Sequence, residues 1–193
     1  VDSNPYAVAI DRGSRIVADA AGNDVVRVSS SGRVTTVGVL PPVTQVLTPK
    51  ALDGLPLEAC VGELFESDPV PTDVEIGPDG NYYVSALPGF PESPGAGKVF
   101  RITRSGSVTE VASGFTGAVD LAVAADGTIY VAELFDFQVS MVPPGESAAT
   151  KSVFVPCPTA VEVGPDGTVY AAEGGICSDE GPPEEGAIVR VTF

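Results

Sequence analysis

Apolar and polar residues alternate in short stretches along this chain, and one stretch recurs nearly unchanged: PTDVEIGPDGNYYVSA at 71–86, AVDLAVAADGTIYVAE at 118–133 and PTAVEVGPDGTVYAAE at 158–173. A looser copy, PYAVAIDRGSRIVADA, occupies 5–20. Period two is the strand period, because successive strand side chains point to opposite faces. Each copy therefore predicts two strands joined at an Asp-Gly turn, where that dipeptide supplies the positive φ angles of a tight hairpin. A third apolar run follows in every unit: VVRVSS from Val25, KVFRIT from Lys98, FQVSMV from Phe137 and AIVRVT from Ala187. After a second turn, at 30–33 or 104–107, comes a fourth run such as VTTVGVL or VTEVAS. No segment holds a 3.6-residue apolar stripe over three turns, which excludes a helical repeat.

Four antiparallel strands per unit, repeated every 40 to 50 residues or so, predict an all-β chain with the four-stranded blades of a β-propeller. Repetition of the whole cassette separates this from a β-sandwich, which needs only evenly spaced strands. About four blades are expected, at roughly 4–40, 70–115, 117–156 and 157–193 by this period, with 41–69 as a long inserted loop. The last unit stops after its third strand, and residues 1–3 are too few to supply a fourth. The expectation is an arc of a larger ring, with an amino-terminal segment or another chain completing it. A self-contained four-bladed ring and a dimer of two partial rings are the rival arrangements. A bare sheet edge would invite pairing with another chain.

The stretch VADAAGNDVVRV at 17–28 resembles the core of an NHL repeat. DSNPYAVAI, VPTDVEIGPDGNYYVSALPGFPESPGAGKVFRI and SGFTGAVDLAVAADGTIYVAE resemble the ScyD/ScyE family, secreted propellers related to scytonemin biosynthesis, and the likeness runs over nearly the whole chain. It implies a six-bladed ring and a secreted, extracellular or periplasmic location, and it leaves activity open.

Charge narrows the partners. With 26 acidic against 10 basic residues the net charge is −16, which argues against nucleic acid, since phosphate neutralisation needs Lys and Arg. No apolar run approaches the roughly 20 residues of a membrane-spanning helix. Histidine is absent, so these residues alone build no Ser-His-Asp triad and no His-ligated metal site. Zinc is disfavoured further, because the three cysteines include no close pair.

In a propeller, the connections from second to third strand and from outer strand to the next inner strand emerge on one face. The long segments at 41–69, 87–97 and 174–186 all belong to that set, which predicts a binding face carrying Glu63, Phe65, Glu66, Asp68, Phe90, Glu92, Asp179 and Glu180. Cys157 and Cys177 flank the open end of one hairpin and are expected to pair as a disulfide, which would imply an oxidising compartment and leave Cys60 over. At the heads of the inner strands, Asp73 and Asp120 occupy equivalent places, and Glu75 and Glu162 match one another two residues on. Such carboxylates, converging on an axis, are candidate Ca²⁺ ligands, although inner-strand acids also serve by accepting backbone hydrogen bonds. GPDG at 77–80 reads as a turn. Two functions follow: a secreted, non-catalytic propeller that binds or scaffolds through its acidic loop face, or a Ca²⁺-dependent lactonase-like hydrolase.

Overall fold

The computed structural model describes residues 2–174 and 185–193. Strands β1 (Pro5–Asp11), β2 (Ser14–Asp19), β3 (Asp24–Val28) and β4 (Val34–Val39) form one antiparallel sheet in that order. Next come β5 (Val43–Val46) and β6 (Leu64–Ser67), a two-stranded ribbon. The second sheet holds β7 (Pro71–Ile76), β8 (Tyr82–Ala86), β9 (Gly97–Ile102) and β10 (Val108–Phe115). The third holds β11 (Ala118–Val123), β12 (Ile129–Glu133), β13 (Gln138–Val142) and β14 (Lys151–Phe154). Three strands, β15 (Ala160–Val163), β16 (Val169–Glu173) and β17 (Ala187–Val191), make the last. These sheets are blades 1 to 4, and the segment expected as a plain loop at 41–69 carries the ribbon.

The inner hairpin turns depart from expectation in an instructive way. In blades 2 to 4 only glycine takes a positive φ, 73° at Gly80, 90° at Gly127 and 81° at Gly167. The preceding Asp keeps an ordinary backbone and uses its side chain instead, accepting the amide two residues on: Asn81 to Asp79 at 3.0 Å, Thr128 to Asp126 at 2.9 Å, Thr168 to Asp166 at 3.0 Å. Blade 1 alone makes a two-residue turn with both residues at positive φ, Arg12 at 48° and Gly13 at 81°.

Inner strands succeed one another, β1 beside β7, β7 beside β11 and β11 beside β15. The core therefore lies between blades. Each blade presents a near face to the blade before it and a far face to the blade after it. Ile16, Ala18 and Val25 of blade 1 pack on Val74, Tyr82, Val84 and Phe100 of blade 2. Val99 and Ala112 continue onto Leu121, Ile129 and Val131, and Ala122, Ala132 and Val139 onto Val161, Val169 and Ala171. Burying each such aliphatic side chain contributes about 1.5–3 kcal/mol, so the seams dominate the stability of the stack.

Candidate functional site

Four connections converge on one side of the stack. The β5–β6 ribbon is pinned there by Gln45, a buried amide whose Nε2 donates to Ser67 Oγ at 2.6 Å and to the Gly89 carbonyl at 3.0 Å, while its Oε1 accepts the Ser93 amide at 2.8 Å. Ser67 Oγ donates onward to the Phe90 carbonyl at 2.6 Å. Phe65 meets Phe90 edge to face at 5.7 Å, a geometry that aromatic quadrupoles favour. The insertion and the β8–β9 loop are thereby one unit.

Beside that unit opens a cleft of about 530 Å³, bounded by Lys50, Glu92, Ser93, Thr116, Phe135 and Asp136 among others. Its walls come only from outer-to-inner and second-to-third connections, the set the sequence placed on one face. Gly117 makes room for the Phe135 ring: at φ 73°, a Cβ there would stand 2.7 Å from Cδ2 of the phenyl ring.

Of the residues expected on this face, Phe65 and Phe90 meet, Glu92 lines the cleft, and Glu63 and Glu66 stand exposed on or beside the ribbon. Asp68 does different work, accepting a 2.8 Å bond from Asn23 Nδ2 and so tying the ribbon to blade 1. Asp179 and Glu180 lie outside the described residues. So does Cys177, and with it the expected pairing to Cys157, which sits buried just ahead of β15. Cys60 is a free thiol in a short 3-10 turn, Glu58–Cys60. Sequence reasoning missed Gln45, Phe135 and Asp136. The last two were within reach, because LFDF at 134–137 is the same connection in blade 3 that 87–96 is in blade 2.

The inner-strand acids occupy the seams. Asp73 accepts the Leu121 amide of blade 3 at 3.3 Å, and Asp120 accepts the Val161 amide of blade 4 at 2.6 Å, so the two equivalent aspartates make the same bond one seam apart. Asp120 also shares a hydrogen bond with Asp73. Burial raises both well above the usual carboxylate range, and the charge on Asp73 pushes Asp120 further, to about 8. Glu75 is raised to about 7 by burial first and then by Asp73 and Glu162. Glu162 itself is exposed. Among the described residues no group of three or more His, Cys, Asp or Glu side chains is set to hold a metal ion. A carboxyl pair already bonded to two backbone amides and to each other is a poor fit to Ca²⁺, which takes six to eight ionised or carbonyl oxygens.

A quite different pair of acids closes blade edges. Buried Glu133 accepts the Thr116 amide at 2.7 Å, Gln138 Nε2 at 3.0 Å and the Ser140 hydroxyl, fixing the loop that leads into the cleft. Asp19 does the same in blade 1 for the amides of Asn4 at 2.8 Å and Gly22 at 3.0 Å.

No protein-family model matches the chain, and none of the curated proteins does. Solved structures do. A streptogramin B lyase structure superimposes on 100% of this chain and 55% of its own, with 13% identity and a TM-score of 0.59. Hydrazine synthase of Kuenenia stuttgartiensis matches 96% of this chain and 49% of its own, at 20% identity and a TM-score of 0.59. The fold is that of a β-propeller. At such identities the likeness carries the fold alone. A third structure, described as YCF48 bound to D1 peptide, matches 90% of this chain and 47% of its own at 13% identity and a TM-score of 0.53. The chain thus spans about half the length of these three structures.

Proposed function

We propose that this chain is a non-catalytic binding module whose loop-bearing face takes a polypeptide partner, through a segment that carries both basic and apolar side chains. The observation behind this reading is the cleft itself, about 530 Å³, assembled from four connections on one face and cross-braced by Gln45 and Ser67. Sites of this kind sit on loops held by a rigid scaffold. Exposed Phe90 and Phe135 supply apolar surface, Glu92 and Asp136 supply negative charge at the rim, and a net charge of −16 attracts cations from a distance. A propeller of comparable fold has been solved with a peptide bound, which is in keeping with the reading. The likeness of the repeats to the ScyD/ScyE family supports placing the module outside the cytoplasm. The Ca²⁺-dependent hydrolase is the weaker alternative, since Asp73 and Asp120 spend their oxygens on backbone amides.

Fluorescence anisotropy with labelled peptides tests the proposal. A peptide interleaving Lys or Arg with Phe or Leu is expected to bind at least tenfold more tightly than its Asp/Glu counterpart, corresponding to about 1.4 kcal/mol. The double substitution Glu92→Lys and Asp136→Lys should abolish the preference. Equal affinity for both peptides would overturn the reading. A thermal midpoint that rises with millimolar Ca²⁺ in the wild type, and not in Asp120→Asn, would favour the alternative.

A further inference from the structure

Blades 1 and 3 build the second-to-third connection on the same four-residue loop and fill it with opposite chemistry. Residues 20–23 join β2 to β3, and residues 134–137 join β12 to β13. The backbones agree bond for bond. The first amide of each loop donates to the entry of its own blade, Ala20 to the Asn4 carbonyl and Leu134 to the Gly117 carbonyl, both at 2.9 Å. The last carbonyl accepts an amide from just beyond the fourth strand, Asn23 from Leu40 and Phe137 from Val155, again at 2.9 Å. Asn23 and Phe137 share a φ of 53°. That left-handed backbone suits asparagine, whose short polar side chain tolerates it, and is costly for phenylalanine.

In blade 1 the loop is structural. Ala21 and Gly22 are small, and Asn23 uses its side chain on the entry to blade 2, Nδ2 donating to Asp68 at 2.8 Å and Oδ1 accepting the Val70 amide at 3.2 Å. In blade 3 the same three positions hold Phe135, Asp136 and Phe137, all exposed, the two aromatic residues by 46% and 43%. Among the described residues nothing bonds or pairs with the Asp136 carboxylate. Phe135 and Asp136 bound the cleft. The fold thus imposes the same backbone on both loops, yet blade 3 accepts the strain of a phenylalanine at 137 and gives its side chains no internal bond in return. Strain of this kind is retained where a surface has work to do.

What an aromatic and acidic tip of this kind holds is illustrated inside the molecule, where Arg104 lies over the Tyr82 ring while it chelates the Asp11 carboxylate. A guanidinium stacks flat on a ring and forks onto a carboxylate at once, whereas an ammonium is a compact, strongly hydrated point charge that does neither as well. We infer, on the peptide-binding reading above, that residues 135–137 form a subsite of the cleft that selects an arginine side chain of the bound segment. The guanidinium lies against the exposed phenyl surface, and Asp136 accepts its N–H groups. Long-range attraction by a net charge of −16 draws lysine and arginine alike, so a preference between the two reports the subsite and not the field.

Fluorescence anisotropy at one fixed salt concentration tests it, with labelled peptides of a single apolar framework that carry Arg, Lys, Glu or citrulline, the neutral counterpart of Arg. The Arg peptide is expected to bind at least about tenfold more tightly than the Lys peptide and more tightly still than the citrulline peptide. Asp136→Asn and Phe137→Asn should each bring the Arg-to-Lys ratio below about threefold. Thermal melts check that both variants fold, and Asn at 137 enters a backbone that Asn23 already adopts. Arg and Lys peptides bound equally, both above the Glu peptide, overturn the arginine subsite and leave the peptide-binding reading standing. Basic and Glu peptides bound equally overturn that reading and the subsite with it. A ratio that survives either substitution overturns the subsite alone, as does a fall of more than about 5 °C in the midpoint of Phe137→Asn, which would make Phe137 a packing residue.

Discussion

The seam between blades 1 and 2 and the seams between blades 2, 3 and 4 bury similar apolar side chains but solve the problem of the acid at the interface in opposite ways. At the first seam Asp11 is buried and ionised. Arg104 chelates it, with Nη2 at 3.0 Å from Oδ1 and Nη1 on Oδ2, the Tyr82 hydroxyl donates at 2.8 Å, and Arg27 stands 3.5 Å away. The Arg104 hydrogen bond is the largest influence and outweighs burial, holding Asp11 down to about 2. Both guanidinium groups also lie over the Tyr82 ring, at 5.9 and 5.4 Å from its centre. At the later seams Asp73 and Asp120 have no cation beside them among the described residues. Asp73 and Asp120 face one another, and the pair keeps a proton instead of gaining a partner charge. A buried carboxyl is thus tolerated either by pairing or by neutralising, and the choice sets how each seam responds to pH.

Removing the paired acid should have the largest effect. Asp11→Ala leaves two cations at the first seam without their anion, and since both side chains are about 30% exposed, the expected loss is about 2 kcal/mol rather than the 3–5 of a fully buried pair. Urea denaturation measures it, and a loss under about 0.5 kcal/mol would mean the cluster contributes nothing to the seam.

Next in size is Asp120→Asn, which mimics the protonated acid and keeps an acceptor for the Val161 amide. Asp120 has a folded pKa above its unfolded value, so its contribution is complete below about 4 and lost as the pH rises through about 8. The substitution should therefore stabilise the protein more at pH 8.5 than at pH 5, by at least about 1 kcal/mol. Thermal melts across that range decide it, and stabilisation equal at both pH values would remove the shared proton from the explanation.

The wild-type pH profile should show both limbs. Asp11 has the opposite sign: its folded pKa is depressed, so its contribution is present above about 4 and disappears as the pH falls through about 2. Stability should fall on the acid side through the first seam and on the alkaline side through the later ones. Asp11→Asn is expected to flatten the acid limb alone, and Asp120→Asn the alkaline limb alone.

Salt should produce the smallest separation. The half-exposed guanidinium groups are screened, whereas the Asp73–Asp120 pair is sheltered. Raising sodium chloride to about 0.5 M should cost the wild type a few tenths of a kcal/mol, and Asp11→Asn should lose that sensitivity while Asp120→Asn keeps it.

The blades were readable because their signals are local. Alternation in VEI and YYV, and glycine at the same place in each inner turn, specify strands without reference to anything distant. The ribbon at 41–69 was hidden because VTQV and LFES are only four residues each and lie 17 residues apart, with two prolines and two glycines in the same segment. Gln45 carried no signal at all: a lone amide in a strand becomes a brace only when Ser67, Gly89 and Ser93 are brought to it. For Asp73 and Asp120 the position was legible and the purpose was not. Their roles depend on an amide in the following blade, roughly 40 to 50 residues on in a repeat of this period. Asp11, at the end of β1, likewise has a role that depends on Arg104 reaching it from blade 2.

The aspartate-capped inner turns of blades 2 to 4 draw their fixing hydrogen bonds from their own residues, Asp79 to Asn81, Asp126 to Thr128 and Asp166 to Thr168. A turn that closes on itself asks nothing of the opposite rim. Loops there can be lengthened, exchanged or transplanted between blades while the hairpins beneath them keep their register, which makes this chain a ready chassis for grafting new recognition segments.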